Sequence, residues 1–536
     1  MTTARVRFGD TARAPLLAGC ATFARLLAPT LGPLGRTVVI EQVLKPGSVE
    51  VLSTAALIAR RTFRLPDPFE NAGAMLLRHA VWRVYEETGD GTATTAVLAA
   101  RLLRELHQLL AAGLAPTALI RALDESETLV RRTLRSLARP VDDIRDLAGL
   151  LAPLDLSPER TSEFLENLEA LGPEGIVLVD PSERSEIHCE LVQGVHWQSR
   201  LLAPELLPSS QARWQLVEPR IVLTDWTVSE SEQLLPILEA CARHRVRRLF
   251  IVAGKLEGQA LALLAANLAR GILEQVAAVA APSVGLQQIR ILEDLAALTG
   301  GRAIRHQAGE RLEDARIGDL GSARQVTGTR WTFAILGGRG QRAAIQQRIA
   351  LAEAELAAAS DEDDRRRARE RLARLHGTFL QVRVGAATPT ERAYRLSMVE
   401  RLARTIQIAQ ASGLLPGGGA SFAVAARALA DDGTSRSPEE RAVFRAVRKA
   451  LLEPLWTLVA NAGRDPATVT TRALAVAPDL VYDVCADRWV EPWSARLLDP
   501  LGVLEAAVQT SWSLARSFLT TEVLVHRTWP ASSAEP

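Results

Sequence analysis

At 536 residues the chain exceeds what one hydrophobic core serves, and about three domains are expected. Hydrophobic residues make up 48% and charged residues 23%, a balance that excludes a disordered chain and predicts a globular one. A formal charge of +1 leaves no global field for nucleic acid or an anionic membrane, so neither is expected as a partner.

Periodicity predicts a first helix over about 8–28, stopped by Thr30-Leu31-Gly32-Pro33-Leu34-Gly35, a turn by its glycine and proline content. Thr37-Val38-Val39-Ile40 reads as a short strand, and helices follow over about 68–86, 92–112 and 116–137. In the second of these, Ala96, Ala99, Leu102, Leu103, Leu106, Leu109 and Leu110 recur at helical spacing and describe one buried face. The middle third changes character. Ile176-Val177-Leu178-Val179, Ile221-Val222-Leu223 and Leu249-Phe250-Ile251-Val252 alternate with helical patterns, which predicts an α/β domain inserted between helical halves. A charged stretch over about 340–374, broken near Ser360-Asp361-Glu362-Asp363-Asp364, predicts an antiparallel helical pair with an acidic tip. Its run Arg365-Arg366-Arg367 is offset by acidic neighbours and reads as a solvated face. Helices return from about residue 386.

Cys20, Cys189, Cys241 and Cys485 lie far apart without ligand spacing, which predicts reduced, buried thiols and no zinc site. The polar stretch Arg7-Phe8-Gly9-Asp10 near the start excludes a signal-peptide core, and no apolar run approaches the roughly 18 residues of a membrane span. A cytoplasmic location is expected.

Thr88-Gly89-Asp90-Gly91-Thr92-Ala93-Thr94-Thr95 is the sharpest local feature, set immediately before a helix. Its glycines would let backbone amides approach a phosphate, and its acid would hold Mg²⁺ against phosphate oxygens. An ordinary helix N-cap uses the same residue types, so the motif alone fits both. Pro416-Gly417-Gly418-Gly419-Ala420 opens another helix and fits either a close backbone approach or a plain loop. No GxxxxGK[ST], HExxH or GxSxG occurs, which argues against a P-loop, a catalytic zinc and a hydrolase elbow. In Leu234-Leu235-Pro236-Ile237-Leu238 and in Ala260-Leu261-Ala262-Leu263-Leu264-Ala265-Ala266 apolar residues go round most of the helix. Such helices are either sandwiched in a core or carry an outward apolar ridge for binding.

The order of these pieces resembles a group I (60 kDa) chaperonin subunit over roughly residues 5–526. Val6-Arg7-Phe8-Gly9, Thr30-Leu31-Gly32-Pro33, Phe69-Glu70-Asn71-Ala72-Gly73-Ala74 and Gly89-Asp90-Gly91-Thr92 carry it in the first half. Glu257-Gly258, Leu298-Thr299-Gly300-Gly301, Val384-Gly385-Ala386-Ala387-Thr388, Gly417-Gly418-Gly419, Leu498-Asp499-Pro500 and Leu519-Thr520-Thr521-Glu522 continue it. The resemblance implies a multidomain α and α/β fold: an equatorial nucleotide-binding domain from 1–135 with 410–536, an intermediate hinge from 136–192 with 376–409, and an apical domain over 193–375. It also implies ATP or ADP with Mg²⁺, and K⁺ as a further candidate ion. Partners would be non-native polypeptides, a lid-like co-chaperonin, and copies of the chain or of a related subunit in a ring.

By position, the resemblance puts Thr30, Leu31, Gly32 and Pro33 along the phosphates and Asp90 on Mg²⁺. Gly91, Thr92 and Thr94 would surround the β- and γ-phosphates, Gly418 and Asp483 the ribose and base, and Asp499 would accept from the ribose. Leu201, Leu206, Leu235, Leu238, Leu261 and Ala265 would occupy polypeptide-binding positions. The chain departs from the family where water is activated. Ala55, within Thr54-Ala55-Ala56, stands where the family has one Asp, and Arg401 stands where it has another. Adjacent Glu400 is a poor substitute, because one helical residue turns a side chain by about 100°. Ala93, Asp483, Glu205, Ala265 and Ala266 are milder departures, and each trimmed apical methylene removes about 0.8 kcal/mol of potential burial. The sequence therefore predicts a chaperonin subunit that binds nucleotide with impaired hydrolysis, against the alternative of an ATP-independent holdase or scaffold.

Overall fold

The computed structural model describes residues 4–36, 38–41, 49–52, 54–61, 64–172, 175–182, 184, 186–207, 214–359, 361–430 and 436–527. The chain forms two compact units, one from residues 1–166 with 388–536 and the other from 167–387. The segments expected as a hinge, 136–192 and 376–409, are thus shared out, dividing after Glu166 and before Thr388.

The first unit is helical. Asp10–Leu27, Pro68–Thr88, Thr92–Ala111, Pro116–Leu137, Pro438–Asn461 and Leu501–Thr520 surround one core that buries Phe23, Leu77, Leu98, Leu102, Phe422, Trp512 and Phe518. Each such side chain contributes roughly 1.5–3 kcal/mol on burial. Trp512 keeps its one polar atom satisfied, donating from Nε1 to Leu123 O and to Ser126 Oγ at 3.1 Å each. The helices begin where their sequences say they should: Asp67 accepts from the Phe69 and Glu70 amides, and Ser437 forms a capping box with Glu440. Asp10–Leu27 and Pro68–Thr88 cross closely enough that a Cβ at Gly19 would lie 1.8 Å from the Glu70 carbonyl oxygen, and one at Gly73 2.1 Å from that of Leu16.

A mixed sheet organises the second unit. Parallel strands Gln275–Ala280, Arg248–Ala253 and Arg220–Thr224 are followed by antiparallel Gly321–Gly328, Thr332–Gly338, Ile187–Gln198 and Thr378–Val384, and Ile176–Pro181 closes the order in parallel. The parallel strands bury apolar runs, over residues 221–223, 249–253 and 276–279, as strands covered on both faces do. Ser231–Arg243, Gly258–Ala269 and Gly285–Thr299 join these strands, and the charged pair expected over 340–374 is Arg342–Ala358 with Glu362–His376.

Two expectations need adjustment. Cys20, Cys189 and Cys241 are buried free thiols, but Cys485 is exposed, since it lies in a tight turn after Val481–Asp483 rather than in a core element. The early strand is Val38–Glu41, paired antiparallel with Val49–Leu52, while Thr37 falls outside the described residues. Among the described residues no helix is long and apolar enough to cross a membrane.

Candidate nucleotide site and a helical face of the second unit

Two left-handed glycines form the corner between Pro68–Thr88 and Thr92–Ala111. Gly89 ends the first helix at φ 72° and Gly91 opens the second at φ 75°. Side chains are excluded here by space as well as by conformation. A Cβ on Gly89 would lie 2.7 Å from the Arg401 carbonyl oxygen, and one on Gly91 2.9 Å from Val503 Cγ1. Asp90 between them does not cap the helix: the N-cap is Gly91, without a side-chain cap bond. The first-turn amides are therefore left for another acceptor. Thr95 Oγ1 donates to Gly91 O at 2.8 Å, whereas the buried Thr92 hydroxyl has no protein partner among the described residues. Thr94 is partly exposed.

Helix Pro389–Ser412 packs along this corner. Arg404 Nη1 donates to the carbonyls of Glu86 at 3.0 Å and Tyr85 at 3.3 Å, and Thr405 Oγ1 to that of Thr88 at 3.2 Å. These carbonyls lie in the last turn of the preceding helix, where a cation is favoured, and that of Tyr85 also accepts from the Gly89 amide at 2.8 Å. One turn earlier, Arg401 Nη1 lies 3.4 Å from Asp90 Oδ1, with side chains 20% and 49% exposed respectively. Glu400 is exposed, with Arg404 and Arg60 as its electrostatic neighbours. Ala55 sits in the first turn of Ala55–Arg60, with its methyl group in the helical core.

On the other side, Leu414–Pro416 pairs antiparallel with Leu498–Pro500, setting Leu415 opposite Asp499. Gly417 N–H donates to Leu497 O at 2.9 Å, and Gly418 and Gly419, at φ 62° and 81°, lead into Ala420–Ala428. Asp499 accepts from the Gly418 amide, yet burial, helped by the nearby Asp90 charge, pushes its carboxyl up to about 7. Asn461 Nδ2 donates to Ala28 O at 2.8 Å and to Leu31 O at 3.0 Å, fixing the Thr30–Pro33 turn. A Cβ on Gly32 would meet Leu458 Cδ1 at 2.2 Å; one on Gly418 would find Leu458 Cδ2 at 4.0 Å and Tyr482 O at 3.8 Å. Leu458 thus bridges the two glycine turns. Asp483 spends Oδ1 on the Cys485 and Ala486 amides, at 2.9 and 3.1 Å.

The structure therefore gathers Asp90, Asp499 and Gly418, sets Gly418 beside the Tyr482 carbonyl, and ties it to Gly32 through Leu458. Sequence reasoning did not single out Arg404, Thr405, Leu458 or Asn461. The spacing of Arg401, Arg404 and Thr405 at i, i+3 and i+4 was the available signal for a shared helix face. Uncapped amides, an unpartnered buried hydroxyl and open space beside Gly418 fit a phosphate-bearing ligand. The fit to Mg²⁺ is poorer. The accessible carboxylate already faces a guanidinium, and among the described residues no group of three or more His, Cys, Asp or Glu could hold a metal.

In the second unit, helices Ser231–Arg243 and Gly258–Ala269 each have a buried and an open side. Leu234, Ile237, Leu238, Cys241, Ala260 and Leu264 enter the core. Leu235 stands 45% exposed, Ala265 is exposed and Leu261 half-buried. Leu201 and Leu206 are buried, so of the six positions expected to bind polypeptide Leu235 and Ala265 face outward, Leu261 lies half-buried against the core, and the other three pack inside.

The TCP-1/cpn60 chaperonin family model matches residues 23–158 and 218–528. Chaperonin GroEL 1 of Rhodopirellula baltica is 33% identical over 528 residues, covering 97% of this chain and 91% of that protein. Two crystal forms of the chaperonin gp146 from the bacteriophage EL 2 (Pseudomonas aeruginosa), solved in the presence of ATP-BeFx, superpose with TM-scores of 0.69 and 0.70 at 18% identity. Each comparison covers 97% of this chain, and 98% and 99% of theirs; this likeness shows the fold.

Proposed function

Because this chain belongs to the TCP-1/cpn60 chaperonin family and is a chaperonin subunit assisting protein folding, we propose that it does so with bound ATP or ADP while hydrolysing ATP very slowly. ATP supplies the phosphate charge and binding energy of a chaperonin cycle. The chain's own residues account for the rest. First-turn amides after Gly91 and the unpartnered Thr92 hydroxyl would donate to phosphate oxygens, with Thr94 beside them. Thr30, Leu31, Gly32 and Pro33 would flank the phosphates, and Gly418, Asp483 and Asp499 the ribose and base. Asp90 is the carboxylate that would meet a Mg²⁺ ion.

The observation carrying slow hydrolysis is the pairing of Arg401 with Asp90 at 3.4 Å while Ala55 is buried in the core. No acid stands at either position to orient or deprotonate water. Loss of such a group typically removes ~10²–10⁴-fold in rate.

The same reading assigns residues 1–135 with 410–536 to an equatorial domain, 136–192 with 376–409 to a hinge and 193–375 to an apical domain. Ring assembly, by copies of this chain or with a related subunit, is supported by exposed apolar residues on two-stranded ribbons: Phe8 and Val525 on one, Val39 on the other. The outward positions Leu235 and Ala265, with half-buried Leu261 beside them, are the proposed site for non-native polypeptide and a lid-like co-chaperonin. An aggregation assay with a chemically denatured client tests the reading. Suppression by the wild-type chain that ATP modulates supports it; suppression indifferent to nucleotide favours an ATP-independent holdase.

A further inference from the structure

We infer that Arg401 stands in for the divalent cation at this site, so that the chain binds nucleoside di- and triphosphates without needing Mg²⁺. This rests on the proposal that the Gly89–Thr92 corner binds nucleotide, and adds which charge neutralises the phosphates there.

Three observations lead to it. First, Arg401 faces the one carboxylate between the two glycines, the acid that would otherwise hold a divalent cation. Second, the guanidinium is held there. Its helix is fixed to the corner by Arg404 on the Tyr85 and Glu86 carbonyls and by Thr405 on that of Thr88. Contact of Gly89 with the Arg401 backbone leaves no slack: a single Cβ would be 2.7 Å from its carbonyl oxygen. Third, Arg401 is under-used. A guanidinium has five N–H donors, and among the described residues this mostly buried one meets only Asp90, at a length too great for a strong charged bond. Phosphate oxygens match the remaining donors in geometry and charge. A Mg²⁺ ion approaching Asp90 would meet a fixed positive charge and would have to displace it.

The test is isothermal titration of the purified full-length chain with ADP and with a non-hydrolysable ATP analogue, each in excess Mg²⁺ and in EDTA. The wild-type dissociation constant should change by less than about threefold between the two conditions. Arg401→Gln should weaken binding in EDTA by about tenfold or more, with Mg²⁺ restoring much of it, a coupling of ordinary size. Arg401→Lys, which keeps the charge, should stay nearer the wild type. Mn²⁺ binding followed by electron paramagnetic resonance without nucleotide gives an independent readout: Arg401→Gln should gain Mn²⁺ affinity that the added change Asp90→Asn removes. Nucleotide binding by the wild type that collapses tenfold or more in EDTA would overturn the inference and leave the nucleotide site standing. Absence of binding by wild type and variants in both conditions would overturn the site and the inference together.

Discussion

Replacing Asp294 by Asn should loosen the charged helical pair of the second unit selectively. Asp294 lies on helix Gly285–Thr299 with its side chain 5% exposed, and accepts from two arginines on two other helices. Arg348 Nε reaches it at 2.6 Å from Arg342–Ala358, while Arg371 Nε and Nη2 reach it at 2.7 and 3.0 Å from Glu362–His376. Glu293 and Glu355 accept further bonds from the same guanidiniums, so the five groups form one network. Asparagine keeps the shape and one acceptor but removes the charge, leaving two largely buried cations short of a partner. Breaking such a site costs about 3–5 kcal/mol, equivalent to roughly two to four powers of ten in a local opening constant. Amide hydrogen exchange read by mass spectrometry should show that acceleration in Arg342–Ala358 and Glu362–His376, with Pro116–Leu137 in the other unit unchanged. Exchange in the charged pair within about threefold of wild type would refute the argument that Asp294 holds it.

Gly73→Ala should destabilise the helical unit by at least about 1–3 kcal/mol, because the new Cβ collides with backbone rather than a movable side chain; a melting temperature equal to wild type would contradict this. Asp499 is raised from 3.8 to about 7, so the folded state holds its proton more tightly than the unfolded chain. That contribution is complete below about pH 4 and is lost as pH rises toward 7, so Asp499→Asn should be relatively more stable than wild type at pH 8 than at pH 5 in paired denaturant titrations. A pH-independent difference would show that the carboxyl is not held protonated. Leu235→Asp combined with Ala265→Asp should weaken capture of a denatured client with little change in melting temperature, since both positions are exposed; unchanged capture would move the client site elsewhere.

Much of the helical unit was legible because its signals are local. Asp67 before Pro68, Ser437 with Glu440, and the left-handed glycines 89 and 91 mark helix ends by residue type alone. The two apolar helices of the second unit were harder. Apolar residues go round both, and only the sheet beneath shows that Leu238 packs inward while Leu235 does not. Leu201 and Leu206 are buried for the same non-local reason. Cys485 was misjudged because thiols are usually buried, whereas its amide completes a turn on Asp483. At the site, Asp90 and its glycines were visible from spacing, and the family resemblance supplied Asp499. That Arg401 would meet Asp90, with Arg404 and Thr405 anchoring its helix, depends on how two distant segments pack, and periodicity carries no record of that.

The most direct test of slow turnover on a nucleotide-competent site is binding and hydrolysis measured on one purified sample, with a catalytically competent chaperonin alongside. Saturable ATP binding with turnover about 10²–10⁴-fold below that relative is the predicted result. Turnover at the relative's rate, abolished by Asp90→Ala, would contradict it.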